Sequence, residues 1–234
     1  MNRRALLGAS VAAGITAALP QALHAADLGA AALPLKVPAD GKIRVAFMIS
    51  SGANVIDLAG AWETFQDTML PNGDMPFELF TVSETTSIVE MTGGLRIEPA
   101  YSFAADDIPH ANILVVGAQS DGSEAFMKIL RDVQGKIDLT MSVCTGAFKL
   151  AKSGILDGKS ATTHHEYYEQ FAKQYPQVTL VRGERFVDNG SIVTAGGLTS
   201  GISAALHVIS RYFDAPTAAK TAAYMEFVPT ARPA

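Results

Sequence analysis

The stretch Leu139-Thr140-Met141-Ser142-Val143-Cys144-Thr145-Gly146-Ala147-Phe148 decides how the whole chain is read. Leu139 to Val143 has strand character, and it runs straight into Cys144-Thr145-Gly146. A helical pattern follows, with Ala147, Phe148, Leu150 and Ala151 as its apolar positions. A residue on such a strand-to-helix turn is held in a sharp conformation and presented beyond the strand end, the logic of a nucleophile elbow. Gly146 lets the turn close. The helix N-terminus aims free N–H groups and its positive dipole end at the sulfur, which predicts a thiol pKa below that of free cysteine. Cys144 is the chain's single cysteine, so no internal disulfide is possible. The plainer reading is a small buried hydrophobe.

Working outward, short apolar runs alternate with helical patterns. Ile43 to Ile49 reads as a strand, and Leu58, Ala61, Trp62, Phe65 and Met69 mark one face of the helix after it. Phe77 to Val82, Ile88 to Met91 and the fully apolar Ile113 to Val116 are further strands. Ser123-Glu124 starts a helix carrying Phe126, Ile129, Leu130 and Val133. Ser191 to Ala195 is a strand, Gly196-Gly197 a turn, and Leu198, Ile202, Ala205, Leu206 and Ile209 a helix face. The alternation predicts an α/β domain, a flavodoxin-like three-layer sandwich whose mostly parallel sheet has helices on both sides. Runs such as Ile113 to Val116 fit strands buried on both faces.

The N-terminus reads separately. Arg3-Arg4 precedes an uncharged stretch from Ala5 to Leu19, then Pro20 and small residues to Ala25-Ala26, the order of an export signal of twin-arginine type. The expectation is a signal over residues 1–25, a tether over 26–41, one domain over 42–229, and a periplasmic or exported location. The chain carries formal charge −5; residues 1–25 hold two arginines and no acid, so the remainder carries −7. With no basic cluster, nucleic acid and anionic membrane surfaces are not expected partners.

In sheets of this kind ligands bind beyond the carboxyl ends of the strands. Two further features belong there with Cys144. Asp57, in Asn54-Val55-Ile56-Asp57-Leu58, starts the first helix; from spacing alone it is best read as its N-cap. Gly117-Ala118 follows the Ile113 to Val116 strand, as an anion-stabilising turn or simply a turn.

Ser142-Val143-Cys144-Thr145-Gly146-Ala147, Gly154-Ile155-Leu156-Asp157-Gly158-Lys159, Ala161-Thr162-Thr163-His164, Asp57-Leu58-Ala59-Gly60 and Gly196-Gly197-Leu198-Thr199-Ser200-Gly201 together resemble the ThiJ/PfpI superfamily, related to class I glutamine amidotransferases. Within it the sequence is most similar to isocyanide (isonitrile) hydratases and to the sensor half of AraC-type regulators. The resemblance implies that Cys144 adds to an isocyanide carbon, giving a thioimidate that water converts to an N-substituted formamide. It casts Asp57 as acid/base partner, Thr145 as a residue orienting the site, and the N–H groups of Gly117-Ala118 as holding the intermediate. A thiolate and a nearby proton donor suffice for this chemistry, without metal or organic cofactor. Two departures stand out. Thr145 occupies the place where superfamily proteases carry His, and Val116-Gly117-Ala118 replaces the usual Pro-Gly-Gly.

The adjacent His164 and His165 lack the cluster a metal needs, so His164 is expected in a supporting role beside the site. Trp62 is expected in core packing, or in the interface of the homodimer that the resemblance implies. Asp106-Asp107 reads as a solvated turn. The leading expectation is a cysteine-dependent hydratase or lyase acting on a small-molecule substrate. The alternatives are a binding or sensing domain without turnover, and a redox- or electrophile-responsive protein.

Overall fold

A computed structural model describes residues 33–105, 108–120 and 122–228; the expected signal and the Asp106-Asp107 turn lie outside them. The first half runs β1 (Ile43–Met48), α1 (Val55–Gln66), β2 (Phe77–Ser83), β3 (Val89–Glu90), β4 (Arg96–Ile97), β5 (Tyr101–Ser102), β6 (Ile113–Val116) and α2 (Glu124–Asp132). The second runs β7 (Leu139–Ser142), α3 (Gly146–Lys152), β8 (Ser160–Ala161), α4 (Tyr168–Gln174), β9 (Thr179–Leu180), β10 (Phe186–Asp188), β11 (Ile192–Ala195), α5 (Ser200–Tyr212) and α6 (Ala215–Tyr224). Seven strands form the central sheet in the order β10-β11-β7-β6-β1-β2-β5, and only β10 runs antiparallel to its neighbour.

The alternation of side chains along each strand explains the three layers. Val45, Phe47, Ile113, Val115, Leu139 and Met141 face α1, α5 and α6, where they meet Phe65, Leu206 and Ile209. Ala46, Met48, Leu114 and Val116 face the other way, onto Phe126 and Leu130 of α2, Leu150 of α3 and Phe171 of α4. Both faces are covered, so an unbroken apolar run such as Ile113–Val116 is buried throughout. Trp62 is half-buried, its ring 5.0 Å from that of Phe47.

Two expectations change. Residues 88–91 supply only the short β3, paired with β4 in a separate ribbon. The end of the expected tether is docked rather than free: the Arg211 guanidinium donates to the Leu33 carbonyl at 3.0 and 3.2 Å. Leu35 and Val37 pack against the core.

The chain leaves β1 toward β2 on one side, and leaves the adjacent β6 toward β7 on the other. That reversal opens a crevice at the carboxyl ends of β1 and β6. Phe47, Asn54, Asp57, Leu58, Gly117 and Ala118 are among the residues lining it.

The elbow closes on this crevice through Gly146. A Cβ there would lie 2.1 Å from the Val116 carbonyl oxygen, a backbone atom that cannot swing aside. Gly146→Ala is therefore expected to destabilise the protein by about 3 kcal/mol, an overpacking cost at the upper end of the usual range. Urea unfolding of the variant beside the parent protein measures it.

Candidate active site

Cys144 lies just beyond β7 with φ 58°, in the left-handed region that residues with a side chain seldom adopt. Three contacts hold it there. Its N–H donates to the Gly196 carbonyl at 2.8 Å. Its own carbonyl accepts the Thr163 hydroxyl at 2.9 Å. The next helix is pressed against Val116 by the glycine at 146. Such over-determination is what keeps a strained elbow in place. The side chain is nearly buried, at 6% exposure.

Asp57 faces it from α1. The expected N-cap role falls to Asn54 instead, whose side chain accepts from the Ile56 N–H at 3.1 Å. Asp57 therefore sits inside the first turn, fully buried. An acid at this position often turns back to the N-cap N–H. Here the Asn54 N–H is already given to the Ala118 carbonyl at 2.8 Å. The Ala118 N–H in turn donates to Asp57 Oδ2 at 2.9 Å. The backbone of one residue, Ala118, is thus clasped at both its N–H and its carbonyl by the start of α1. Gly117 permits the approach, since a Cβ at 117 would fall 2.9 Å from that of Asp57. The Ala118 N–H, expected to hold an intermediate, is committed to orienting the carboxyl.

Burial pushes the Asp57 carboxyl up to about 6, against hydrogen bonds from Ala118, the Cys144 thiol and the Leu198 N–H that favour its charge. The Cys144 thiol is pushed up to about 11, by burial first and then by the Asp57 charge beside it. This reverses the expectation of a depressed thiol. The Thr145 and Leu198 N–H groups do favour thiolate, but burial and the facing carboxylate outweigh them. Taken together, the pair holds a single proton between pH of about 6 and about 11. That proton can sit on sulfur or on oxygen, so the site stores a nucleophile and an acid in one unit.

Leu198 is the functional residue that sequence reasoning placed wrongly. It was expected on the α5 face, but α5 begins at Ser200 and Leu198 has φ 51° in the turn before it. Its N–H favours the charged form of both Cys144 and Asp57, and the residue is 40% exposed. Thr145 contributes its amide; its hydroxyl makes no cap to α3. His164 lies one residue beyond Thr163, with its ring against Gly197. Among the described residues no group of three His, Cys, Asp or Glu side chains could hold a metal ion.

The raised Asp57 pKa has a stability consequence. The folded state holds that proton more tightly than the unfolded chain, so the contribution is fully present below about 3.8 and is lost as pH rises through about 6. Asp57→Asn, which keeps an acceptor for Ala118, is expected to stabilise the fold by about 3 kcal/mol at pH 8 and by little at pH 4. Denaturant melts at the two pH values test this. Removing the charge also lowers the thiol, so alkylation of Cys144 at pH 8 should be faster in Asp57→Asn than in the parent.

The architecture has counterparts among known proteins. Residues 43–211 match the model of the DJ-1/PfpI family. Isonitrile hydratase of Pseudomonas putida is 26% identical over 193 residues, covering 80% of this chain and 79% of that enzyme. The HTH-type transcriptional regulator GbdR of Pseudomonas aeruginosa is 25% identical over 71% of this chain, which spans 46% of the regulator's length. Among solved structures, Drosophila melanogaster DJ-1beta superimposes with a TM-score of 0.67 at 16% identity, covering 80% of this chain and 98% of that one. With most of its length inside the family model and the fold shared, the chain belongs to the DJ-1/PfpI family.

Proposed function

We propose that the protein is a cysteine-dependent hydratase that converts a small isocyanide to an N-substituted formamide. The observation that carries this reading is the facing pair: a nucleophile on a left-handed elbow and a fully buried carboxyl beside it. Similarity to isonitrile hydratase of Pseudomonas putida supports the choice of substrate class.

The chemistry balances with these residues alone. Sulfur bonds to the terminal carbon of R–N≡C, and the proton shared with Asp57 goes to that same carbon, giving R–N=CH–S–Cys144. Asp57, now carboxylate, takes a proton from water as the water oxygen adds to the carbon, and passes that same proton to the nitrogen. The C–S bond of R–NH–CH(OH)–S–Cys144 then breaks. The electron pair returns to sulfur, the hydroxyl proton returns to the pair, and R–NH–CHO leaves. The Leu198 and Thr145 N–H groups stabilise charge on sulfur at the first and last steps. The Ala118 N–H keeps the carboxyl aimed throughout.

This mechanism predicts a bell-shaped dependence of kcat/KM on pH. Activity falls below about 6, where both groups are protonated, and above about 11, where neither is. Formation of formamide from a panel of aliphatic and aromatic isocyanides, followed by proton NMR, tests the reading. Cys144→Ala should abolish turnover, and Asp57→Asn should reduce it about 100-fold. Absence of formamide from every isocyanide would overturn the hydratase assignment and favour a ligand-binding role. Similarity to GbdR, a transcriptional regulator, is the observation behind that second reading.

A further inference from the structure

The turn Gly196-Gly197-Leu198 does two jobs at the elbow. The Gly196 carbonyl takes the Cys144 N–H at 2.8 Å, and the Leu198 N–H favours the thiolate. Leu198 does this in the left-handed region at a cost of about 1 kcal/mol or more, so something must hold it there. The start of α5 holds the far side of the turn, the Gly201 N–H donating to the Leu198 carbonyl at 3.1 Å and the Ser200 N–H to the Gly197 carbonyl at 3.0 Å.

The segment after β8 supplies the hold on the near side. Thr163 already grips the elbow through the Cys144 carbonyl. The next residue, His164, lies on Gly197: a Cβ at 197 would fall 2.1 Å from Cδ2 and 2.9 Å from Nε2 of the imidazole. The ring is not a loose side-chain end. Its Nδ1 accepts the Glu166 N–H at 3.3 Å, which leaves the proton of the neutral ring on Nε2. His165 stacks on it with centroids 4.6 Å apart, and Tyr167 meets it edge-on at 5.8 Å. Partial burial and the neighbouring His165 hold its pKa below the ordinary histidine value, which favours the neutral ring.

We propose that His164 is a positioning residue for the nucleophile: its ring, wedged against Gly197, fixes the 196–198 turn, and with it the Gly196 carbonyl that holds the Cys144 N–H and the Leu198 N–H beside the thiol. The ring acts through the turn and need not touch the substrate. The proposal shares with the hydratase reading only the premise that Cys144 reacts as a thiolate, and it assigns a reason for glycine at 197.

Because Cys144 is the only cysteine, iodoacetamide alkylation of the full chain reports its ionisation directly. His164→Ala releases the wedge. The alkylation profile against pH should then move up by about one unit, making alkylation at pH 8 about tenfold slower; this is the loss expected of one hydrogen bond to a charged sulfur. Gly197→Ala, which drives a methyl into the ring, should do the same or more. The double variant should be no slower than His164→Ala, because the collision partner is gone. Thermal melts of each protein establish that it is folded; if Gly197→Ala does not fold, His164→Ala decides alone. A parental profile for folded His164→Ala would overturn the proposal, as would fully additive losses in the double variant. The readout uses no isocyanide, so a shifted profile in a protein that makes no formamide leaves the wedge standing while the hydratase reading falls.

Discussion

The backbone of Ala118, gripped at both its N–H and its carbonyl, is the constraint on which the site depends. The Asn54 N–H donates to the Ala118 carbonyl and the Asp57 carboxylate accepts from the Ala118 N–H, so the loop after β6 and the first turn of α1 are tied by one backbone–backbone and one backbone–carboxylate hydrogen bond. The clasp is possible because β1 and β6 are neighbours, which brings the ends of two strands distant in sequence side by side. It also needs the missing side chain at 117, since any Cβ there would push Asp57 away. Without the clasp Asp57 would be an ordinary first-turn acid, turned to solvent or back to its own helix.

A carboxyl fixed in this way is buried at a cost, and that cost is the source of its chemistry. In water Asp57 would ionise well below neutrality and the thiol would keep its proton independently. In the buried site each group raises the barrier to a second charge, so one proton serves both. A cysteine activated only by a helix N-terminus would be a standing thiolate, open to oxidation and to any electrophile. In this site burial and the facing carboxylate disfavour a standing thiolate.

The layered architecture was legible because its signals are local. Buried parallel strands show as apolar runs, covering helices show their spacing, and Cys144 stands at a junction of the two. Sidedness in the site was harder. Asn54 and Asp57 are both good capping residues three apart, and spacing alone favoured the acid. The choice is made by the Ala118 peptide, a contact between residues more than sixty positions apart that no window on the sequence contains. The same holds for the thiol. The helix-end effect on its pKa is real and visible in the sequence, but it competes with burial and with a facing carboxylate, and both are tertiary. Leu198 was missed because an apolar residue before a helix reads as the first position of its buried face. Its left-handed backbone in the turn carries no mark in the residue type.

That Leu198 is not glycine is informative. A glycine would reach the same backbone conformation without strain but would also leave it freely, and the N–H beside the thiol would wander. A larger residue accepts the strain only if its surroundings impose it, and once imposed the geometry has few alternatives. The flanking positions show the opposite economy. Gly196 and Gly197 have no side chain because the α5 start and the His164 ring stand where one would go. The turn therefore combines two glycines that let neighbours close in with one leucine that those neighbours hold. Rigidity at the nucleophile comes from this division, since the strained residue supplies the donor and the unstrained ones supply the contacts that keep it strained.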